Sequence, residues 1–279
     1  MGNDYWLMDH YDPDDALQKL TGAVVMNTTR FHAADVSYTL RHAYGVNDYE
    51  DCDDCFTEED IRAHIECFPE GQFMIIRLGG PNAGCAVSTA ITMRTSRPPT
   101  APILPWREAI GDMTLGAHEP EGNWLYGVEM AVHGMYRGHG FGTGLYDVRF
   151  QLVKDLNLRG WYAVGMLMGY HDILEDELRE SERFELFNMR GGRRREDLLR
   201  DGMLRQVDAQ LTGFPRHSDK LTPTEYGEKV IARKYKDPTV TMQMNRGFRA
   251  VRVVTDYCDE PAAGDAGVLI VWENPDYEC

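Results

Sequence analysis

The sequence predicts an α/β fold built on a mixed sheet, and three observations carry this. "NWLYGVEMAVH", the helix from about Gly140 to Leu156 and the apolar run "WYAVGMLMG" make a strand, helix, strand unit whose two strands run parallel. "GQFMIIRL" and "GCAVSTAITMRT", separated by "GGPNA", read as an antiparallel hairpin, because Gly, Pro and Asn are turn residues. From His171 to about Lys220 the chain turns charged and helical before two final strands.

The remaining elements follow in order. After an acidic, aromatic leader over residues 1–20, "GAVVMN" reads as a short buried strand and His32 to Tyr44 as a helix. In "TEEDIRAHIECF", Thr57 is the expected N-cap, with Asp60 three residues on completing a shortened capping box. "SRPPTAPILP" breaks regular structure. Within Gly140–Leu156, Phe141, Leu145, Val148, Leu152 and Leu156 recur at helical spacing and define one buried face. "WYAVGMLMG" is continuously apolar, as a strand covered on both faces should be. "TPTEYGEKVIARKY" is a helix with Thr222 as cap and Pro223 in its first turn. "FRAVRVVTDY" and "AGVLIVWEN" close the chain as strands joined by an acidic loop.

Bulk properties narrow the function. The 279 residues, 43% of them hydrophobic, support a real core. A formal charge of −16 disfavours nucleic acid, since "MRGGRRREDLLR" is the one basic stretch, and the acidic field gathers cations such as amines. No run reaches the roughly 18 uncharged apolar residues of a membrane span, and the N-terminus lacks a signal peptide's order, so the expected location is the cytoplasm. "MGNDYW" opens like a myristoylation signal, but Trp6 stands where Ser or Thr is required. A disulfide framework is not expected from six unevenly spaced cysteines. Cys52, Cys55, His64 and Cys67 have the donor atoms for zinc but match no common finger spacing; the alternative is a CxxC in an acidic loop, with Cys67 packed as a small hydrophobe. No metal is expected.

The stretch "YRGHGFGTGLYDVRFQLV" sets glycine at positions 138, 140, 142 and 144 where strand gives way to helix. The dinucleotide fingerprint GxGxxG fails in every register, and no Lys completes a Walker A loop. What remains is R-x-x-G-x-G, Arg137 to Gly142. A helix's first turn offers N–H groups without carbonyl partners and a partial positive charge, and glycine lets a pyrophosphate approach them. The competing reading is a turn that needs glycine only for positive φ. Gly144 lies beyond the motif and fits close helix packing.

On these residues the sequence resembles the GCN5-related N-acetyltransferases (GNAT). "VEMAVHGMYRGHGFGTGLYDVRFQL" looks like that family's motif A, and the order of elements agrees from about Gly22 to Asp276 outside the insertion. "HIECFPEGQFMIIRLGG", "TPTEYGEKVIARKYKDPTVTMQMNRGF" and "LIVWENPDY" are similar to the subgroup in which the acetyltransferase precedes a carbon-nitrogen hydrolase domain. The chain ends where that hydrolase would begin, and its Glu-Lys-Cys constellation is not expected here.

The resemblance implies a GNAT-like mixed, mostly antiparallel sheet with a central splayed parallel strand pair, helices on both faces and the 171–220 helical insertion, as a single domain over 1–279. It implies acetyl-CoA as cosubstrate, its pyrophosphate on the N–H groups of Arg137, Gly138, Gly140 and Gly142 with Thr143 beside them, and its pantetheine arm on the main chain of Met130, Ala131 and Val132. The activity implied is acetyl transfer to an amine on a small molecule or peptide. A non-catalytic CoA-binding module and other acyl-CoA chemistry, such as decarboxylation, are the alternatives. Neither nucleic acid nor membrane is an expected partner, and a homodimer is left open.

For the chemistry, Glu129 is the candidate base, at a position often acidic in the family, where burial would raise its pKa; a salt bridge or a solvent-facing carboxylate is the alternative. His133, just past the strand, is a second candidate base or a solvated loop histidine. Many family members carry a Tyr acid where this sequence has Gln243, which cannot donate a proton in that way. Tyr170 is the substitute by location, against an aromatic that caps the sheet edge. Arg193, Arg194 and Arg195 could reach the 3′-phosphate of CoA, and the preferred reading is a solvated face.

Overall fold

The computed structural model describes residues 22–46, 52–79, 82–200 and 204–278. The expected leader, residues 1–20, lies outside them, as do Gly80 and Pro81 of the hairpin turn. Contacts divide the chain into two compact units, one of residues 1–102, 107–162 and 273–279, the other of 103–106 and 163–272.

In the first unit, strands β1 (Ala23–Asn27), β2 (Gln72–Arg77), β3 (Ala86–Thr95) and β4 (Trp124–Val132) form successive antiparallel pairs. β3 is buried on both faces despite its hydroxyls. Three of its hydroxyls are satisfied by carbonyls: Ser88 Oγ donates to Ala131 O at 2.9 Å, Thr89 Oγ1 to Phe73 O at 3.0 Å and Thr92 Oγ1 to Gly71 O at 2.6 Å. Helix α1 (Ala33–Tyr44) ends at Gly45 in the left-handed conformation that glycine tolerates, φ 74°. Helix α2 (Glu58–Cys67) carries the expected capping box, with Thr57 and Asp60 reciprocally bonded. Helix α3 (Phe141–Asp155) follows β4 and leads to β5 (Gly160–Met166), which pairs parallel with β4.

The second unit contains the rest of β5 and the hairpin-like pair β6 (Arg249–Val254) and β7 (Gly267–Glu273), which is antiparallel. The strand order is β1-β2-β3-β4-β5-β7-β6. This is the mixed, mostly antiparallel sheet that the sequence predicted, with one parallel pair. Beyond Met166 the apolar run bends: Gly169 N–H donates to the buried Asp237 carboxylate at 2.8 Å, so "LMG" is turn and not strand.

The insertion is helical, with α4 (Glu180–Met189), α5 (Arg195–Arg200) and α6 (Leu204–Ala209). Its ends are zipped by an antiparallel bridge between Ile173 and Arg216 and by Leu174 N–H on Pro215 O at 2.8 Å. Ile173, Leu178, Leu186 and Leu211 form a small core of its own. Arg190, fully buried, donates to both Asp208 oxygens at 2.8 and 2.6 Å and to Glu175 at 2.8 Å. A buried guanidinium needs this kind of bidentate pairing to remain charged at tolerable cost. Arg195 departs from the solvated reading: it lies 3.3 Å from both Asp172 and Glu175. Helices α7 (Pro223–Ile231), capped by Thr222 with Pro223 at its start, and α8 (Val240–Asn245) complete the unit.

Candidate active site

β4 carries the geometry on which the site rests. Its register against β3 passes from Thr92↔Gly127 to Ile91↔Glu129, leaving Val128 as the extra residue of a β-bulge. A bulge turns the following side chains and re-aims the backbone. Among the described residues its parallel ladder with β5 is three pairs long, Trp124↔Gly160 to Tyr126↔Tyr162. Gly127 to Val132 therefore run on beyond the parallel pairing.

At the strand's end, His133 begins a short turn through Tyr136, and Arg137 ties that turn down, its Nε donating to Val132 O at 3.3 Å and its Nη2 to Ala43 O at 3.1 Å. Gly138 and Gly140 adopt φ of 80° and 82°, so both need glycine on conformational grounds alone. Gly142 does not. It sits in the first turn of α3, and a Cβ built there would meet nothing nearer than Met130 Cε at 3.9 Å. The protein's own packing leaves that space open. The first helical bond is Gly144 N–H to Gly140 O at 3.1 Å, and the N–H of Gly142 precedes it at the positive end of a 15-residue helix. Anion binding on the backbone fits this arrangement.

The three strand residues expected to hold a pantetheine arm have their polar groups engaged within the unit. Met130 N–H donates to Glu129 Oε1 at 2.8 Å, Ala131 O accepts from Ser88 Oγ, and Val132 O accepts from Arg137. Glu129 is half-buried, so its carboxylate lies against its own strand's backbone. His133 is buried; its Nδ1 accepts from Met135 N–H at 3.3 Å, which leaves the proton of the neutral ring on Nε2. Burial holds its pKa below the usual histidine range, helped by the neighbouring His42 and Arg137. A neutral imidazole near pH 7 is a competent base.

Sequence reading missed Arg149. It sits in α3 on the buried face, 2% exposed, with its guanidinium between the rings of Tyr146 (4.6 Å) and Trp161 (4.3 Å). Its Nε donates to Leu145 O and its Nη2 contacts Met130 Sδ, each at 2.9 Å. The signal was available: Arg149 falls between Leu145 and Leu152 in the apolar stripe, where a charge is out of place.

Tyr170 and Gln243 belong to the second unit. Tyr170 is buried, its hydroxyl donating to Leu221 O at 2.8 Å and its ring packed on His171 and Tyr226. Burial, and Glu225 nearby, hold the phenol above its ordinary pKa, so it keeps its proton. Gln243 is buried over Gly165 of β5 so closely that a Cβ there would fall 2.1 Å from Oε1.

The cysteine loop corrects one expectation, since Cys52 and Cys55 are joined in a disulfide. Three-residue spacing in this loop brings their Cα atoms to 5.3 Å, within bridging reach. They are not both available as thiolates. His64 is buried, its Nε2 bonded to Met113 O at 2.6 Å, and Cys67 Sγ lies 3.9 Å from Leu115 O. Among the described residues no three His, Cys, Asp or Glu side chains gather as a metal site, and no helix is long and apolar enough to cross a membrane.

The strand order, the bulged β4, the short parallel ladder and the glycine turn entering a helix define a GNAT-like fold. Comparison with solved structures agrees. The loading GNATL domain of CurA from Lyngbya majuscula superposes with a TM-score of 0.58 at 12% identity, covering 90% of this chain and 98% of that one. The GphF GNAT-like decarboxylase, solved with isobutyryl-CoA, gives 0.53 at 14% identity, covering 90% and 99%. Malonyl-CoA decarboxylase from Rhodopseudomonas palustris gives 0.52 at 13%, covering 94% of this chain and 62% of that one. Among curated proteins, two from Bacillus subtilis are similar. The uncharacterized N-acetyltransferase YkwB is 23% identical over 223 residues, 80% of this chain and 77% of that protein. The probable hydrolase YhcX is 25% identical over 231 residues, 80% of this chain, and the chain spans 36% of its length. No family model matches the chain.

Proposed function

We propose that the protein is an acyl-CoA-dependent N-acyltransferase that moves acetyl directly from acetyl-CoA to an amine. The observation that carries this reading is Gly142: a first-turn glycine that no internal contact requires, at a helix N-terminus following a bulged strand. Pyrophosphate would rest on Arg137, Gly138, Gly140 and Gly142 with Thr143 beside them, and pantetheine on Met130, Ala131 and Val132 in place of the bonds these residues now make. Glu129 is assigned as base for the amine and Tyr170, which keeps its proton, as acid for the thiolate. The naming of YkwB as an N-acetyltransferase and of GphF's ligand as an acyl-CoA supports the cosubstrate. Action as one acyltransferase domain over 1–279, in the cytoplasm, is part of the same proposal.

A second reading, decarboxylation of an acyl-CoA, is favoured by Gln243 at the usual acid position and by the decarboxylase neighbours. One experiment separates them. The protein is incubated with acetyl-CoA and a panel of amines, amino acids and peptides, and with malonyl-CoA alone; free thiol, product mass and carbon dioxide are measured. Thiol release with an N-acetylated product, reduced roughly a hundredfold or more by Glu129→Gln, supports transfer. Carbon dioxide without transfer supports the second reading, and CoA binding without either sinks both.

A further inference from the structure

The Cys52–Cys55 bridge plays no part in the reaction outlined above. A disulfide stabilises chiefly by removing freedom from the unfolded chain, and the effect grows with the length of loop it closes. At a sequence separation of 3 this one closes very little chain. Other ties already hold the segment. Arg107 Nη2 donates to Asp53 O at 2.6 Å and to Asp54 Oδ1 at 2.7 Å, and Cys55 N–H donates to Cys52 O at 3.2 Å. Ser37 Oγ of α1 donates to Phe56 O at 2.7 Å, and Phe56 is buried with its ring edge-on to His64 of α2. None of these contacts involves sulfur, so the bridge can open without releasing the loop.

The two sulfurs differ in access. Cys55 is buried, 5% exposed, whereas Cys52 is half-buried. Thiol–disulfide exchange requires an attacking thiolate to reach one sulfur of the pair, and Cys52 offers the easier approach. Between them Asp53 and Asp54 are exposed. Arg107 is shared between Asp54 and Asp112, so its single charge does not neutralise the loop, and the first turn of α2 adds Glu58, Glu59 and Asp60. An anionic thiol is repelled from such a surface and a cationic one is drawn to it.

We propose that Cys52 and Cys55 form a thiol–disulfide exchange site, with Cys52 the sulfur that is attacked, Cys55 the resolving thiol, and a small neutral or cationic thiol the substrate. The substrate thiolate bonds to Cys52 Sγ; the S–S bond breaks and its electron pair leaves on Cys55 Sγ, which takes a proton from water. A second substrate thiolate attacks the substrate sulfur of this mixed disulfide and releases Cys52 as a thiol. Two substrate thiols are thereby oxidised to one disulfide while the bridge is reduced to two thiols. In reverse, Cys52 attacks a small disulfide and Cys55 displaces the bound half to close the bridge. The site is independent of the acyltransferase reading.

The test uses the full, folded chain. It is equilibrated with cysteamine and cystamine in varied ratio, quenched with an alkylating agent and mapped by peptide mass. Cys52 and Cys55 are expected to pass together and reversibly from bridged to alkylated, in a chain that still melts cooperatively. A bridge that opens only in denaturant, a pair that stays as thiols in excess cystamine, or loss of the cooperative melt on opening overturns the proposal. With cystamine, Cys55→Ser is expected to trap the mixed disulfide on Cys52 at least about tenfold faster than Cys52→Ser traps it on Cys55. Equal rates, or the reverse order, overturn the roles. Should either variant not fold, the wild-type map at partial reaction decides, with the adduct expected on Cys52 and its appearance on Cys55 overturning the assignment. Per thiolate, cysteamine should open the bridge at least about threefold faster than 3-mercaptopropionate at low salt, with the gap closing at high salt. No gap at low salt rejects the substrate class.

Discussion

The imidazoles of His42 and His133 stack with centroids 3.6 Å apart and planes 18° from parallel, one on α1 and the other at the end of β4. Stacked in this way, His42 disfavours a charge on His133 and adds to the burial that holds its pKa down. Replacing His42 with Phe keeps the stack and removes that repulsion. The His133 pKa is then expected to rise, by less than about one unit because burial is the larger cause. Proton NMR of the His133 ring across pH checks it; an unchanged or lower value rejects the stacking account.

Gly142→Ala separates folding from ligand binding. The Cβ has room and alanine favours a helix, so stability is expected to hold or gain about 0.5–1 kcal/mol. CoA affinity is expected to fall by at least about tenfold, or about 1.4 kcal/mol, because the methyl fills the approach to the first-turn N–H groups. Calorimetric titration with CoA beside a thermal melt gives both quantities. Unchanged affinity removes the anion-site assignment.

Gly165→Ala tests the packing of Gln243. The added methyl collides with a buried side chain whose tip can shift only partly, and a loss of about 1–2 kcal/mol is expected. Gln243→Ala in the same chain removes the collision, so the two changes should be strongly non-additive in urea unfolding. Simple additivity means that the two residues are not in contact.

His217 sets an acid limit on stability. Buried against Tyr226 and Tyr235, it is lowered to about 4, chiefly by burial, with Arg195 adding to the effect. The folded chain therefore refuses a proton that the unfolded chain accepts below about 6.5. The stabilisation is complete above that value and is lost as pH falls toward 4, with a size on the order of 2 kcal/mol. His217→Phe keeps the ring packing, and its unfolding free energy should fall less than the wild type's between pH 6.5 and 4. Parallel pH dependence in the two proteins contradicts this.

Much of this was legible in the chain. The capping boxes at Thr57 and Thr222, the β2–β3 hairpin and the helix after the glycine turn each depend on contacts a few residues apart, and local residue identity determines these. The apolar stripe of α3 was read correctly at Phe141, Leu145 and Leu152, but Val148 is half-buried and Arg149 is the buried member. A periodicity argument sorts residues by polarity and so passes over a charge that aromatic rings and a thioether on other elements accommodate. The Cys52–Cys55 bridge was missed because composition speaks to redox setting and not to the distance between two Cα atoms.

By itself the sequence determined the elements, their order, the parallel pairing of β4 with β5 and the glycine turn between them, because hydrophobic period and backbone freedom are properties of short segments. Only the tertiary structure decided that Val128 is bulged out of register, that Glu129 turns onto the Met130 N–H, that Tyr170 is spent on Leu221, and that Arg149 stands behind the strand. Each depends on which distant groups come within a few ångströms, and hydrogen bonds and buried charges are settled at that range, which no spacing along the chain records.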